Sequence, residues 1–216
     1  MKLWGVFTYV WQTLRGIGSK NTTKVPTIST QMTSTGYNKY NIAPSGFDPK
    51  WIIIHHSLSP DGKERDWNGI RKYHMSYRYK GDIITEERYE ELQAEGKTSG
   101  LETPWKDIGY HLGIEEVSGR LEIQKGRPIG TPGAHAIGFN DNSIGLCLIG
   151  HYDQRPPSEP RLFLLGSVCR DLQRLFVIAP DHVIGHRETF SLRGVPIEKS
   201  CPGSAFNLDA FRKRLI

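Results

Sequence analysis

Two short runs of uninterrupted apolar residues do most to limit what this chain can become. Trp51-Ile52-Ile53-Ile54 is one, and Ser143–Ile149 holds the other. Each is far short of the ~20 residues that a membrane-spanning helix needs. Each is also too continuous for a strand with one wet face. The pattern is that of strands buried on both faces, as in a sheet covered by helices on either side.

The neighbouring segments fit such a sheet. Asp66 is placed to cap a helix carrying Trp67, Ile70, Tyr73 and Tyr77 on one side. Tyr110–Val117 and Leu121–Ile123 flank Ser118-Gly119, which reads as a hairpin turn. Pro160 suits the first turn of a helix with Leu162, Leu165, Val168, Cys169, Leu172, Leu175 and Phe176 at helical spacing. Val183-Ile184 gives a short last strand. The order β-α-β-β-β-α-β predicts an α/β fold, a mixed central β-sheet flanked by helices. Residues 81–106 are polar and charge-rich. They read as a surface insertion with a helix from Glu86 to Glu95, capped by Thr85 and stopped by Gly96.

Charge divides the chain in two. There are 28 basic and 23 acidic residues, a formal net charge of +5. Residues 1–47 hold Lys2, Arg15, Lys20, Lys24 and Lys39 and no Asp or Glu, so residues 48–216 carry 23 of each sign. A charge-balanced body argues against nucleic acid, whose phosphates call for a basic surface on the folded module. The expected division is an N-terminal basic, aromatic arm and linker over 1–47 and a folded domain over 48–216. In the arm, Leu3, Phe7, Val10, Trp11 and Leu14 fall on one helical face. Residues 1–20 suit an anionic envelope or membrane surface. Two rival readings stay open: a degenerate export signal, interrupted by Thr8, Gln12 and Thr13, and an extension packed on the domain. Three cysteines, an odd and sparse number, imply no disulfide framework.

One trio carries chemistry. His55 follows the first buried strand, His186 follows the last, and Cys201 lies in Lys199-Ser200-Cys201-Pro202-Gly203. Two imidazoles and a thiolate make a catalytic zinc ligand set with the fourth position left to water. Among eight histidines such a trio also arises by chance, and then reads as cleft histidines beside a buried cysteine. In a strand, neighbours point to opposite faces, so only one of His55 and His56 reaches a shared metal. A second chemistry is open too, with Cys201 as a nucleophile paired with His186. Cys147 and Cys169 sit in apolar periodicity and read as core.

The flanking motifs add a resemblance. Ile54-His55-His56-Ser57, Asp107-Ile108-Gly109-Tyr110-His111, Gly133-Ala134-His135-Ala136, Asn142-Ser143-Ile144-Gly145-Leu146, Gly185-His186-Arg187-Glu188 and Cys201-Pro202-Gly203 occur in that order. Over roughly residues 50–215 the chain resembles the type-2 N-acetylmuramoyl-L-alanine amidases. These include phage lysozyme-amidases, bacterial autolysins and animal peptidoglycan recognition proteins. The resemblance implies Zn²⁺ held by His55, His186 and Cys201, with Tyr110 and Lys199 as catalytic residues and His135 lining the substrate groove. It implies hydrolysis of the amide between N-acetylmuramic acid and L-alanine in peptidoglycan by a monomeric enzyme acting at the bacterial wall, in the periplasm or outside the cell. The alternative is a recognition module that binds peptidoglycan without cutting it. The chain departs from the family pattern in two places. Residues 81–106 are added ahead of Tyr110, and Phe190–Glu198 lengthen the stretch between His186 and Cys201, which bears on where Lys199 sits.

Overall fold

The computed structural model describes residues 39–42, 47–59 and 66–216. The arm residues 1–20, their proposed envelope contact and most of the 19–47 linker lie outside the described residues. Among the described residues no helix is long and apolar enough to cross a membrane.

The first apolar run is strand β1 (Trp51–His56). It lies between β7 (Ser143–Leu148) and β8 (Val183–Gly185), parallel to both, with Ile54 opposite Leu146 on one side and Gly185 on the other. On the far side of β7 come β5 (Leu112–Val117), parallel to it, and β6 (Arg120–Lys125), antiparallel to β5. The five-stranded order is β6-β5-β7-β1-β8. This is the mixed sheet that the sequence predicts. Ser118 and Gly119 join β5 to β6 with φ of 51° and 77°, the left-handed pair that a two-residue hairpin turn requires.

Alternation along the strands assigns the two faces. Ile52, Ile54, Ile144, Leu146, Leu112 and Ile114 pack with Leu165, Val168, Cys169 and Leu172 of the long helix Glu159–Phe176. Cys147, on the other face of β7, packs with Trp67 and Ile70 of α1 (Trp67–His74). Gly113 makes that packing possible, since a Cβ there would lie 2.3 Å from the Trp67 ring. Asp66 caps α1 by accepting the Gly69 N–H at 2.6 Å. The helix ends at His74, so Tyr77 lies beyond it. Tyr77 reaches instead to Glu86.

The insertion folds on itself. Strands β2 (Arg78–Tyr79), β3 (Asp82–Ile83) and β4 (Leu101–Glu102) form a small antiparallel sheet in the order β3-β2-β4, with α2 (Glu86–Ala94) between β3 and β4. Thr85 caps α2, and Gly96 follows it at φ 73°. Arg78 anchors the unit. Its buried guanidinium donates to the Tyr73 carbonyl and the Glu102 carboxylate, each at 2.5 Å, and lies over the Tyr73 ring.

The folded body also reaches back past position 47. Tyr40 is buried in the main core and bonds to Asp171 at 2.5 Å, and the Ile129 N–H donates to the Asn41 carbonyl. Lys39 pairs with Asp171 as well, and Asn41 donates its side-chain amide to the Gly126 carbonyl, so several contacts pin the segment. Three helical segments follow the long helix, which is α3. They are a 3₁₀ turn (Pro180–His182), α4 (His186–Leu192) and α5 (Leu208–Arg212).

Candidate active site

The carboxyl ends of β1 and β8 lie side by side, and each delivers a histidine. His55 is the fifth residue of β1, and His186 opens α4 directly after β8. Glu188 fixes that helix start. It accepts the Gly185 N–H at 2.7 Å and pairs with Arg212.

Cys201 comes from the loop that follows, and Arg187 ties this loop down. Its backbone N–H donates to the Cys201 carbonyl at 2.7 Å, and its guanidinium donates to the carbonyls of Ser200, Gly203 and Phe206. Asp153 takes the Ser200 hydroxyl and the Ser204 N–H from the other side. Pro202 packs on Gly185, where a Cβ would lie 2.6 Å from its ring. Neither Arg187 nor Asp153 is singled out by sequence reasoning. An arginine beside a ligand histidine reads as surface charge until its carbonyl partners are known.

The donor atoms of His55, His186 and Cys201 all lie within 4.8 Å of one another. His55 Nδ1 is 3.6 Å from Cys201 Sγ. Zinc bonds of about 2.05 Å to nitrogen and 2.3 Å to sulfur, opened to a tetrahedral angle, hold N and S roughly 3.6 Å apart. The donor set therefore fits zinc in kind, and the His55–Cys201 pair fits it in spacing. The charge states fit as well. Burial, followed by the neighbouring His186 and His135, holds His55 far below the ordinary histidine pKa. Burial and the Lys199 charge hold His186 at about 4. Both rings are neutral and keep a lone pair. Burial raises the Cys201 thiol to about 12, although the His56 N–H points at its sulfur. A metal entering here displaces that proton.

His56 faces away, as strand alternation requires, and its Nδ1 accepts the Tyr152 N–H. Tyr110 does border the cavity, with its ring centroid 5.0 Å from that of His55. Burial, with Cys147 and Cys201 nearby, raises its phenol well above 10. Lys199 also borders the cavity. Phe190–Leu192 complete α4, which stops where the Val195 N–H returns to the Phe190 carbonyl and Gly194 takes φ 68°. The loop then carries Lys199 back over the cleft. His135 lies in the cleft wall beside His55.

The cleft is two adjoining cavities of about 530 and 540 Å³ that share Trp105, Ala134, His135, His186, Glu198 and Lys199. Trp105, at the end of the insertion, stacks on His74 with centroids 4.5 Å apart. It walls the cleft, a contribution that the polar composition of the insertion conceals. Cys147 and Cys169 are buried and free, as their apolar periodicity predicts.

The mixed sheet thus brings three residues that could hold a metal ion to the carboxyl ends of two parallel strands and the loop beside them. Residues 45–204 match the family model described as N-acetylmuramoyl-L-alanine amidase, and the chain belongs to that family. The endolysin of Enterobacteria phage K11 is 35% identical over 117 residues, 52% of this chain and 68% of that protein. Peptidoglycan-recognition protein LB of Drosophila melanogaster is 31% identical over 104 residues, 48% of this chain. The endolysin of Escherichia phage T7 is 41% identical over 54 residues, 25% of this chain. The chain spans 40% of the Drosophila protein and 34% of the T7 endolysin. Among solved structures, the Ph2119 endolysin from a Thermus scotoductus bacteriophage aligns with a TM-score of 0.51 at 20% identity, over 82% of this chain and 89% of that one. At that identity the likeness speaks for the fold.

Proposed function

We propose that this chain is a zinc-dependent amidase that cuts the bond between the lactyl group of N-acetylmuramic acid and L-alanine in peptidoglycan, acting at the bacterial wall as a lytic enzyme. The observation that carries the reading is the convergence of His55, His186 and Cys201 at zinc-like spacing in the floor of a cleft. Bound zinc supplies Lewis acidity, polarising a carbonyl and lowering the pKa of water towards ~7.

The chain's own groups do the rest. Tyr110, kept as a neutral phenol, donates a hydrogen bond to the oxygen that gains charge and helps move the proton of the attacking water. The Lys199 ammonium at the rim places positive charge where the carbonyl oxygen becomes anionic. Trp105 and Ala134 give the glycan and peptide a wall to lie against. A nucleophilic role for Cys201 is disfavoured. Nucleophilic cysteines have depressed pKa values and some exposure, whereas this thiol is raised to about 12 and only 9% exposed. The likeness to a recognition protein supports a second reading, binding without hydrolysis. The thiolate donor at position 201 favours the enzyme.

Digestion of purified peptidoglycan followed by mass analysis tests the proposal. Intact stem peptides with a free L-alanine amine are expected, and so are loss of their release under a chelator and its return with Zn²⁺. New reducing sugar ends, or activity indifferent to the chelator, refute it.

A further inference from the structure

His135 stands in the cleft wall with both ring nitrogens engaged inside the protein. Its Nδ1 is 3.1 Å from Nε2 of His55, and its Nε2 is 3.4 Å from the Ser143 hydroxyl. That hydroxyl is 2.6 Å from the Phe139 carbonyl. The carbonyl sets the direction of the whole chain, because it can only accept. Ser143 therefore donates to it, and the Ser143 oxygen accepts from His135 Nε2–H. With one proton on each ring, His135 Nδ1 then carries a lone pair and accepts from His55 Nε2–H. The remaining lone pair of His55 is left on Nδ1, the atom 3.6 Å from Cys201 Sγ.

The His135 ring has little freedom to do otherwise. A Cβ on Gly133 would lie 2.3 Å from it and a Cβ on Gly145 2.6 Å, so two bare backbone segments confine it. Asn140 Oδ1 accepts the N–H groups of His135 and Ala136 at 2.8 and 2.9 Å and fixes the backbone that carries the ring. The two imidazoles meet edge to face, at 86°.

We infer that His135 is a positioning residue for the metal site: through Ser143 and the Phe139 carbonyl it holds His55 in the tautomer and orientation that present Nδ1 to a divalent ion. The inference rests on the zinc reading above. It gives His135 a task apart from the substrate contact expected from the sequence, and the ring also lines both cavities of the cleft. Outer hydrogen-bond partners of ligating histidines are typically worth about 10–100-fold in metal affinity.

The test uses the full chain and three substitutions, His135→Leu, His135→Asn and Ser143→Ala. Zinc affinity is read by competition with a chromogenic chelator, and ligand geometry by the visible spectrum of the Co²⁺-loaded protein. Thermal unfolding of the metal-free proteins checks that each is folded. Leucine keeps bulk and removes the acceptor, so affinity falls by about 10–100-fold and the cobalt bands move. Asparagine puts an amide oxygen near the position of Nδ1 and recovers most of the affinity. Ser143→Ala keeps the histidine, removes only its anchor and gives a smaller loss. A leucine variant with wild-type affinity and spectrum overturns the inference alone, and so does an asparagine variant as weak as the leucine one. A wild-type protein that takes up no zinc overturns the metal reading and this one together.

Discussion

Acid should destabilise this domain through its buried histidines, and His111 is the one whose two ring partners are both backbone groups. His111 is 0% exposed, and both ring nitrogens are committed. Nδ1 accepts the Gly145 N–H at 2.9 Å, so Nε2 carries the proton and donates to the Thr131 carbonyl at 2.9 Å. A second proton would have to sit on Nδ1, facing an N–H donor in a dry interior. Burial, aided by the Arg127 charge and partly offset by the Thr131 carbonyl, brings the folded pKa to about 4. The unfolded value is about 6.5. The stabilisation is complete above about 6.5 and drains away as the pH falls towards 4, because only the unfolded chain takes up the proton. At pH 5 the loss is about 2 kcal/mol. Urea unfolding of the chelator-treated protein at pH 7 and pH 5 measures it. His55, His56, His135 and His186 are also pushed down by burial, so the wild type loses more than this in total. The comparison is with His111→Asn, whose amide oxygen still accepts the Gly145 N–H but does not titrate. The variant should lose about 2 kcal/mol less than the wild type between the two pH values. Equal losses refute the assignment.

Other perturbations have equally definite outcomes. Tyr110→Phe should lower kcat by about 10²–10⁴-fold with KM and zinc content little changed; a fall confined to KM would remove Tyr110 from the chemistry. Cys201→Ser should abolish zinc uptake and hydrolysis together, and retained turnover counts against the ligand set. Zinc uptake at pH 7 should release about one proton per ion, because the thiol otherwise stays protonated; calorimetry in buffers of different ionisation enthalpy shows it, and no buffer dependence refutes it. Gly113→Ala should destabilise the domain by about 1–3 kcal/mol through the collision with Trp67; a denaturation midpoint equal to wild type would mean that the ring moves aside freely.

The parts of the fold that were legible in the sequence are those where one local rule decides the outcome. Continuous apolar runs mark β1 and β7 because a strand buried on both faces has no polar side to show. Asp66 and Thr85 announce helix starts because their side chains bond to the first free N–H groups. Ser118-Gly119 announces a hairpin because both residues must be left-handed. The extent of α1 was misjudged because Tyr77 keeps the helical period after the helix has ended. It packs instead against Tyr89 of the insertion. Tyr40 and Trp105 were missed for a shared reason. Each lies in a polar segment, and only the tertiary fold shows what it covers. At the site, His55, His186 and Cys201 stood out through their flanking motifs, while spacing alone left them as three scattered residues. The groups that hold the Cys201 loop, Arg187 and Asp153, act on backbone carbonyls, an N–H and a hydroxyl 13 to 51 residues along the chain, and no sequence pattern encodes those partners.

The placement of the donors has a consequence for when this protein can act. β1 sits between β7 and β8, so a growing chain can pair β1 with β7 and build most of its core while it owns one donor, His55. The other two follow later in the chain, His186 directly after β8 and Cys201 in the loop after α4. A chain severed ahead of residue 186 lacks two of the three donors and the core residues Phe206, Leu208, Phe211 and Leu215. On the zinc reading, metal binding free energy then counts as folding free energy for the segment that carries His186 and Cys201.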